Sequence, residues 1–360
     1  MLCRAGPGQD CCRFGTRTIL NSISDLLHPD SVAGALNEAL RAVLARPSIN
    51  TLAELEGYRG LPIEELFPAP RRPPRARVSR RWWLPGVVSE DVVFRSEHRP
   101  LSRRFRKRYD TEYPENHTVY ARRIRPAGAR RRPRLLYLHG YMQPESLVEE
   151  LALFTSMALW LDMEVVQLQP PYHGRRTPRT ARFGGEFYWT ADVVRSIEAL
   201  RQNIFDARAL LDWMLKDDPR PVGVSGISLG GSLSQILTCV EPRFDFSIPL
   251  IAHMDLAALV ADAPVLSSMR RELRSFGWGT EEFAKFMTEL GWESLRPVVP
   301  PERILLFGAS EDRFFDPRVV EAMRRRWGDP EIRWYPCSHM GFIPRLPLVI
   351  AEMRRFLDAL

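Results

Sequence analysis

The sequence is poor in lysine, poor in paired cysteines and empty of long apolar runs. Of its 51 basic residues only Lys107, Lys216 and Lys285 are lysines. The formal charge of +7 admits an anionic partner, but a bias towards arginine explains the missing lysine equally well. No helix-turn-helix, zinc or RNA-binding signature accompanies the charge, which argues against nucleic acid as a partner. The five cysteines are Cys3, Cys11, Cys12, Cys239 and Cys337. An odd number with two adjacent is no disulfide framework, no spacing suits a metal, and a reducing compartment fits best. Met1 to Arg17 lack the apolar core of a signal peptide, and no stretch approaches the ~18 apolar residues of a membrane span. The expectation is a cytoplasmic protein with no membrane span.

What is present describes an ordinary globular chain. With 360 residues, 45% hydrophobic and 26% charged, it suits one large α/β domain with an appendage, or two modest domains. Residues 1–82 read as a helical N-terminal appendage. Asp30-Ser31 offer capping groups, followed by Val32, Leu36, Leu40, Val43 and Leu44 at helical spacing. A second short segment holds Leu52, Leu55 and Leu61 and ends in a Pro/Arg linker, Pro68 to Pro74. The appendage either packs on the main domain or serves as a lid or dimerisation element, which leaves a homo-oligomer open.

From about Trp82 the pattern changes, and residues 83–360 read as one domain. Asp91–Arg95 and His117–Ala121 are β-rich and predict a peripheral antiparallel pair. The arginine runs at 103–108 and Arg130–Arg132 read as solvated loops. Short apolar runs then alternate with longer helical patterns, as in a parallel sheet with crossover helices. The runs are Leu135–Leu138, Val165–Leu168, Val222–Val224, Phe246–Leu250 and Ile304–Phe307. Val193, Ile197, Leu200, Ile204, Ala207, Leu211 and Met214 make one stripe of a long helix, and Val349, Met353, Phe356 and Leu357 a closing one.

The strongest local signal is Gly226-Ile227-Ser228-Leu229-Gly230, directly after an apolar strand and before a helical run. A serine on such a sharp turn has an exposed hydroxyl, and glycines on both sides let helix and strand approach closely. The serine needs a base. His139, His173 and His253 each follow a strand, whereas His339 lies in a loop between a short β-like run, Ile332–Tyr335, and the last helix, where a base would be expected. The base in turn needs a carboxylate to hold its tautomer. Asp312, in the loop after Ile304–Phe307, is the best candidate, with Glu311, Asp316 and Asp255 as alternatives. Backbone donors for a developing oxyanion are expected at Leu229 and, beside His139-Gly140, at Tyr141.

In this order, His139-Gly140, Pro170-Pro171-Tyr172-His173-Gly174, Gly226–Gly230, Gly308 to Asp312 and Ser338-His339 resemble the α/β-hydrolase superfamily over roughly residues 85–360. A weaker likeness points to a subgroup near dienelactone-hydrolase-like and peptidase-like members. The resemblance implies a mostly parallel sheet of eight-strand type flanked by helices, and a cofactor-free Ser-His-Asp mechanism acting on a small ester or acyl substrate. Peptidase or acyltransferase activity on the same residues, and a non-catalytic binding role, are the alternatives. Residues 252–300 read as a helical cap insert whose Trp278 and Phe286 either line a substrate pocket or only pack the insert. His173 is a candidate substrate contact, and Arg175 and Arg176 either meet an anionic group or are salt-bridged.

Overall fold

The computed structural model describes residues 27–128, 132–143, 150–216 and 218–360. Cys3, Cys11, Cys12, Arg130, Arg131 and the start of the appendage lie outside the described residues. Among the described residues nine strands form one sheet. They are β1 Arg77–Leu84, β2 Val87–Arg95, β3 Thr118–Pro126, β4 Arg134–Leu138, β5 Glu164–Leu168, β6 Val222–Ile227, β7 Phe246–Leu250, β8 Leu305–Ala309 and β9 Glu331–Tyr335. Their spatial order is β1-β2-β3-β5-β4-β6-β7-β8-β9. The first three strands are antiparallel, β3 meets β5 antiparallel, and the rest of the sheet is parallel. Strand β1 begins at Arg77, so the domain boundary expected at residue 82 cuts through a strand.

Strands β4 to β8 are buried on both faces, as continuous apolar runs require, whereas the edge strand β9 is largely exposed. Leu136 and Leu138 pack on one side with helices α4 (Val193–Leu215) and α5 (Leu229–Val240). Leu135 and Tyr137 pack on the other with α3 (Thr155–Trp160) and α10 (Leu346–Asp358). Strand β4 pairs with β5 on one side and β6 on the other, with Leu138 level with both Leu168 and Gly226. The chain therefore leaves three adjacent strands at one edge, around a topological switch point where such sheets place their sites.

Three expectations need correction. The arginine-rich stretch after β2 is a helix, α2 (Arg103–Glu112), not a loop. Ser102 Oγ accepts the Phe105 N–H at 3.0 Å, and Phe105 and Tyr109, one turn apart, are buried. Helix α4 buries its polar side as well as its apolar stripe. Glu198 receives the Tyr58 hydroxyl at 2.6 Å, the Leu101 N–H at 2.7 Å and Arg201 at 2.6 Å, with His98 at 3.1 Å. Burial alone would raise the Glu198 carboxyl, but Arg201, His98 and Tyr58 together hold it at about 2. Helix α1 (Pro29–Leu44) turns the unexpected way: Leu36 is 68% and Val43 77% exposed, while Asp30, Gly34, Asn37 and Arg41 face inward. Its inner positions are taken by groups with specific hydrogen-bond partners, described below, and these outweigh the burial of its leucine and valines.

The insert between β7 and β8 is helical: α6 (Leu256–Asp262), α7 (Ser267–Ser275) and α8 (Thr280–Leu290). Helix α9 (Pro317–Arg326) follows β8.

Candidate active site

Ser228 sits between β6 and α5 with φ +57° and ψ −119°, a strained conformation for any residue but glycine. The turn is possible because neither flank carries a side chain. A Cβ on Gly230 would overlap the Leu138 carbonyl oxygen, and one on Gly226 would overlap the Gly230 carbonyl. Helix, serine and strand β4 are thereby brought into direct contact.

The loops after β8 and β9 lie together, because Ala309 pairs with Tyr335 at the ends of these strands. They bring His339 and Asp312 to the serine. His339 Nε2 lies 3.0 Å from Ser228 Oγ, and Nδ1 lies 2.7 Å from Asp312 Oδ2. Asp312 keeps its second oxygen occupied: Oδ1 accepts the N–H groups of Phe314 and Phe315 at 2.7 and 2.8 Å. The other acids considered do different work. Asp255 caps α6 through the Ala258 N–H at 2.9 Å, and Asp316 caps α9 through the Arg318 N–H at 2.8 Å. Glu311 is exposed.

Leu229 opens α5, and the first N–H groups of a helix have no partner inside it. Tyr141 shares a small cavity with Ser228 and Leu229. The loop carrying Tyr141 is tightly held. Gly140 N–H donates to Gln143 Oε1 at 2.6 Å, and the Tyr141 hydroxyl accepts from Arg41 Nη1 at 2.9 Å. His173 belongs to this support. Its Nδ1 lies 2.8 Å from the Pro171 carbonyl, and its Nε2 accepts the Met142 N–H at 3.2 Å. With both nitrogens engaged and the ring buried, His173 holds the loop instead of facing the cavity.

The cavity has a volume of about 30 Å³, room for about two waters. Besides Tyr141, Ser228 and Leu229 it is walled by Trp189, Leu259, Val265, Leu266, Phe314 and Phe315. A larger hollow of about 330 Å³, between Pro133, Phe246 and Leu357, opens at the amino ends of the strands, away from Ser228. Trp278 and Phe286 do not line the Ser228 cavity. They pack on each other, ring centroids 5.7 Å apart, and Phe286 lies beneath the Arg59 guanidinium at 5.5 Å. The helical spacing of the insert's aromatics puts them on its inner packing face; the wall comes from α6, from Val265 and Leu266, and from the loop after Asp312. Nor do the two arginines reach the cavity. Arg176 is fully buried against Asp206 at 2.7 Å, and Arg175 stacks on Tyr120 with Asp91 at 3.4 Å.

Sequence reasoning missed Asp30 and Arg41. Both touch the loops around Ser228 from α1, and no local pattern announces a partner hundreds of residues away.

The buried histidines make the fold acid-sensitive. Burial, reinforced by His139, holds His173 down at about 3, and burial holds His253 down at about 4. In the unfolded chain each titrates near ~6.5. Unfolded molecules therefore bind more protons below that pH, and stability is full above it. It should fall as the pH drops from about 6.5 towards 4, by at most ~1.4 kcal/mol per unit for each histidine. Urea midpoints measured between pH 7 and 5 check this, with a shallower slope expected for His173→Gln. A flat series in the wild-type chain would refute the assignment.

Comparison with known proteins agrees with this architecture. The family model described as alpha/beta hydrolase domain containing 18 matches residues 114–264. Two uncharacterised proteins of Mycobacterium tuberculosis, from strains CDC 1551 and H37Rv, are each 29% identical over 256 residues. That match covers 69% of this chain and 57% of theirs, so the chain spans little more than half the length of these curated relatives. Among solved structures, an acetyl xylan esterase from Paenibacillus sp. R4 superposes with a TM-score of 0.57 at 17% identity, covering 89% of this chain and 98% of its own. Acetyl xylan esterase 1 from Thermoanaerobacterium gives a TM-score of 0.56 at 17% identity, with the same coverage. The serine turn after β6, the loops after β8 and β9 and these likenesses together show the fold of the α/β hydrolases.

Proposed function

We propose that the chain is a serine hydrolase that cleaves a carboxylic ester through an acyl-enzyme on Ser228. The observation that carries this reading is the continuous relay from Ser228 Oγ through His339 to Asp312, at 3.0 and 2.7 Å. His339 Nε2 takes the serine proton as Oγ attacks the ester carbonyl, and Asp312 holds Nδ1–H and stabilises the imidazolium. The carbonyl oxygen becomes an anion facing the Leu229 and Tyr141 N–H groups. His339 then returns the proton to the leaving alcohol. A water enters, loses its proton to the same nitrogen and releases the acid, restoring Ser228. An alcohol or amine in place of that water would give acyl transfer by the same intermediate.

The size of the cavity supports a short acyl group. A narrow space of about 30 Å³ with apolar walls suits a small apolar acyl end. The names of the two acetyl xylan esterases are in keeping with that class. The test is fluorophosphonate labelling of Ser228, followed by turnover of p-nitrophenyl esters of rising chain length. We expect labelling and a rate maximum at the shortest esters. Leu266→Ala should shift the maximum towards longer chains in a graded way, since each methylene in an apolar pocket is worth only ~1–3 kcal/mol. Phe286→Ala should leave that profile unchanged and cost ~3–5 kcal/mol of stability. A maximum at long chains in the wild-type protein, or none at all, would overturn the short-acyl assignment.

A further inference from the structure

We infer that Asp30 is a positioning residue for the His339–Asp312 pair, which makes helix α1 part of the site; the inference rests on the function proposed above. Asp30 lies fully buried in the first turn of α1. Its Oδ1 accepts the Met340 N–H at 2.9 Å, and its Oδ2 accepts the His339 N–H at 2.9 Å and the Arg313 N–H at 3.0 Å. A single carboxylate thus joins the residue that carries the imidazole to the residue that follows Asp312. The His339–Asp312 bond spans the same gap. Charge-assisted bonds to backbone N–H groups are short and directional, so this carboxylate sets how far apart the two loops stand. Arg313 Nη1 reinforces the link by donating to Ser31 Oγ at 3.1 Å.

A helix docked only for stability would bury its apolar stripe. Helix α1 does the reverse, and each of its inward polar groups ends on the site. Asn37 Nδ2 donates to the Val265 carbonyl at 2.8 Å. Arg41 donates to the Tyr141 hydroxyl at 2.9 Å and to the Glu186 and Trp189 carbonyls, each at 3.3 Å. Val265, Tyr141 and Trp189 all wall the Ser228 cavity. Gly34 allows this approach, because a Cβ there would collide with Pro264. Burying a lone carboxylate is costly unless its oxygens are satisfied, and here three donors satisfy it, all from the two loops.

The test compares Asp30→Asn with Glu38→Ala in the full chain. The asparagine keeps the shape but sets an N–H₂ group against backbone N–H donors. Glu38 holds α1 to the insert, accepting from Ser268 N–H at 3.0 Å and Arg271 at 2.7 Å, and touches neither loop. Misplacing reacting groups by about 1 Å costs on the order of 10²-fold in rate. We expect a fall of that order in kcat for Asp30→Asn with KM little changed, and no loss of kcat for Glu38→Ala at a comparable drop in melting temperature. Asp30→Glu, which keeps the charge but lengthens the arm, should also lower kcat and serves if the asparagine variant does not fold. The downfield proton resonance of His339 Nδ1–H gives a reading independent of turnover: present in the wild type, broadened or lost in the Asp30 variants. Unchanged kcat and an unchanged resonance in a folded Asp30 variant would overturn the inference, as would equal kcat losses in the Asp30 and Glu38 variants. Absence of fluorophosphonate labelling in the wild type would instead sink the hydrolase reading, and the resonance would still decide the role of Asp30.

Discussion

Replacing Ser228 with alanine is expected to remove fluorophosphonate labelling and to lower ester turnover by about 10⁶-fold, leaving only what binding and the oxyanion donors supply. Among the described residues, the other serine that lines the cavity cannot replace it in the attack. Ser232, one turn along α5, has its Oγ committed to the His253 carbonyl at 2.7 Å. The change removes one hydrogen bond, to His339, so the melting temperature should stay near that of the parent protein. Comparable turnover by purified Ser228→Ala and wild-type protein, with contaminating esterase excluded, would refute the assignment of Ser228 as nucleophile.

The second large effect should come from Asp312→Asn. Asparagine can keep the Phe314 and Phe315 N–H bonds through its carbonyl oxygen, so the loop stays in place. Its N–H₂ group then faces His339 Nδ1. The imidazole adapts by carrying its proton on Nε2, and it can no longer accept the one on Ser228. In well-measured triads this exchange lowers kcat by ~10⁴-fold. Asp255→Asn alters a helix cap and Asp316→Asn a cap and an exposed pair with Arg318; each should cost a fraction of a kcal/mol or at most ~1 kcal/mol in stability and little activity. Steady-state kinetics on the three variants decides the matter, and a crippled Asp255→Asn would move the acid to the loop after β7.

Several parts of this architecture could be read from the chain alone because their signals are local. Gly226 and Gly230 mark the turn through the space they leave empty, and Val222 and Val224 before them mark a buried strand. His339 and Asp312 stand out by their place after short apolar runs, and the structure brings both within hydrogen-bond reach of the expected partners. The parts that stayed hidden depend on what a segment packs against. The spacing of Val32, Leu36 and Val43 predicts a helix correctly, yet it assigns the wrong face to the interior, because it cannot register three polar partners supplied by distant loops. Trp278 and Phe286 share a face, but whether that face meets a substrate or the domain depends on how the insert is tilted. His173 looks like a site histidine until its second nitrogen is found on the Met142 N–H. The arginines of α2 mask a helix that docks through two inward aromatics, Phe105 and Tyr109, and through Arg108 on the buried Asp192.

The clamp from Asp30 to Met340 has a consequence for how the molecule is made. Its two partners are 310 positions apart, and the loops it joins follow β8 and β9, which come after the other seven described strands in the chain. Contacts of such sequence separation carry a large loop-closure cost, which must be met before they stabilise anything. Until β8, β9 and their loops are in place, Asp30 has nothing to hold and Ser228 has no base. The contact that closes the clamp and the one that activates the serine are therefore completed by the same short segment, residues 339 and 340.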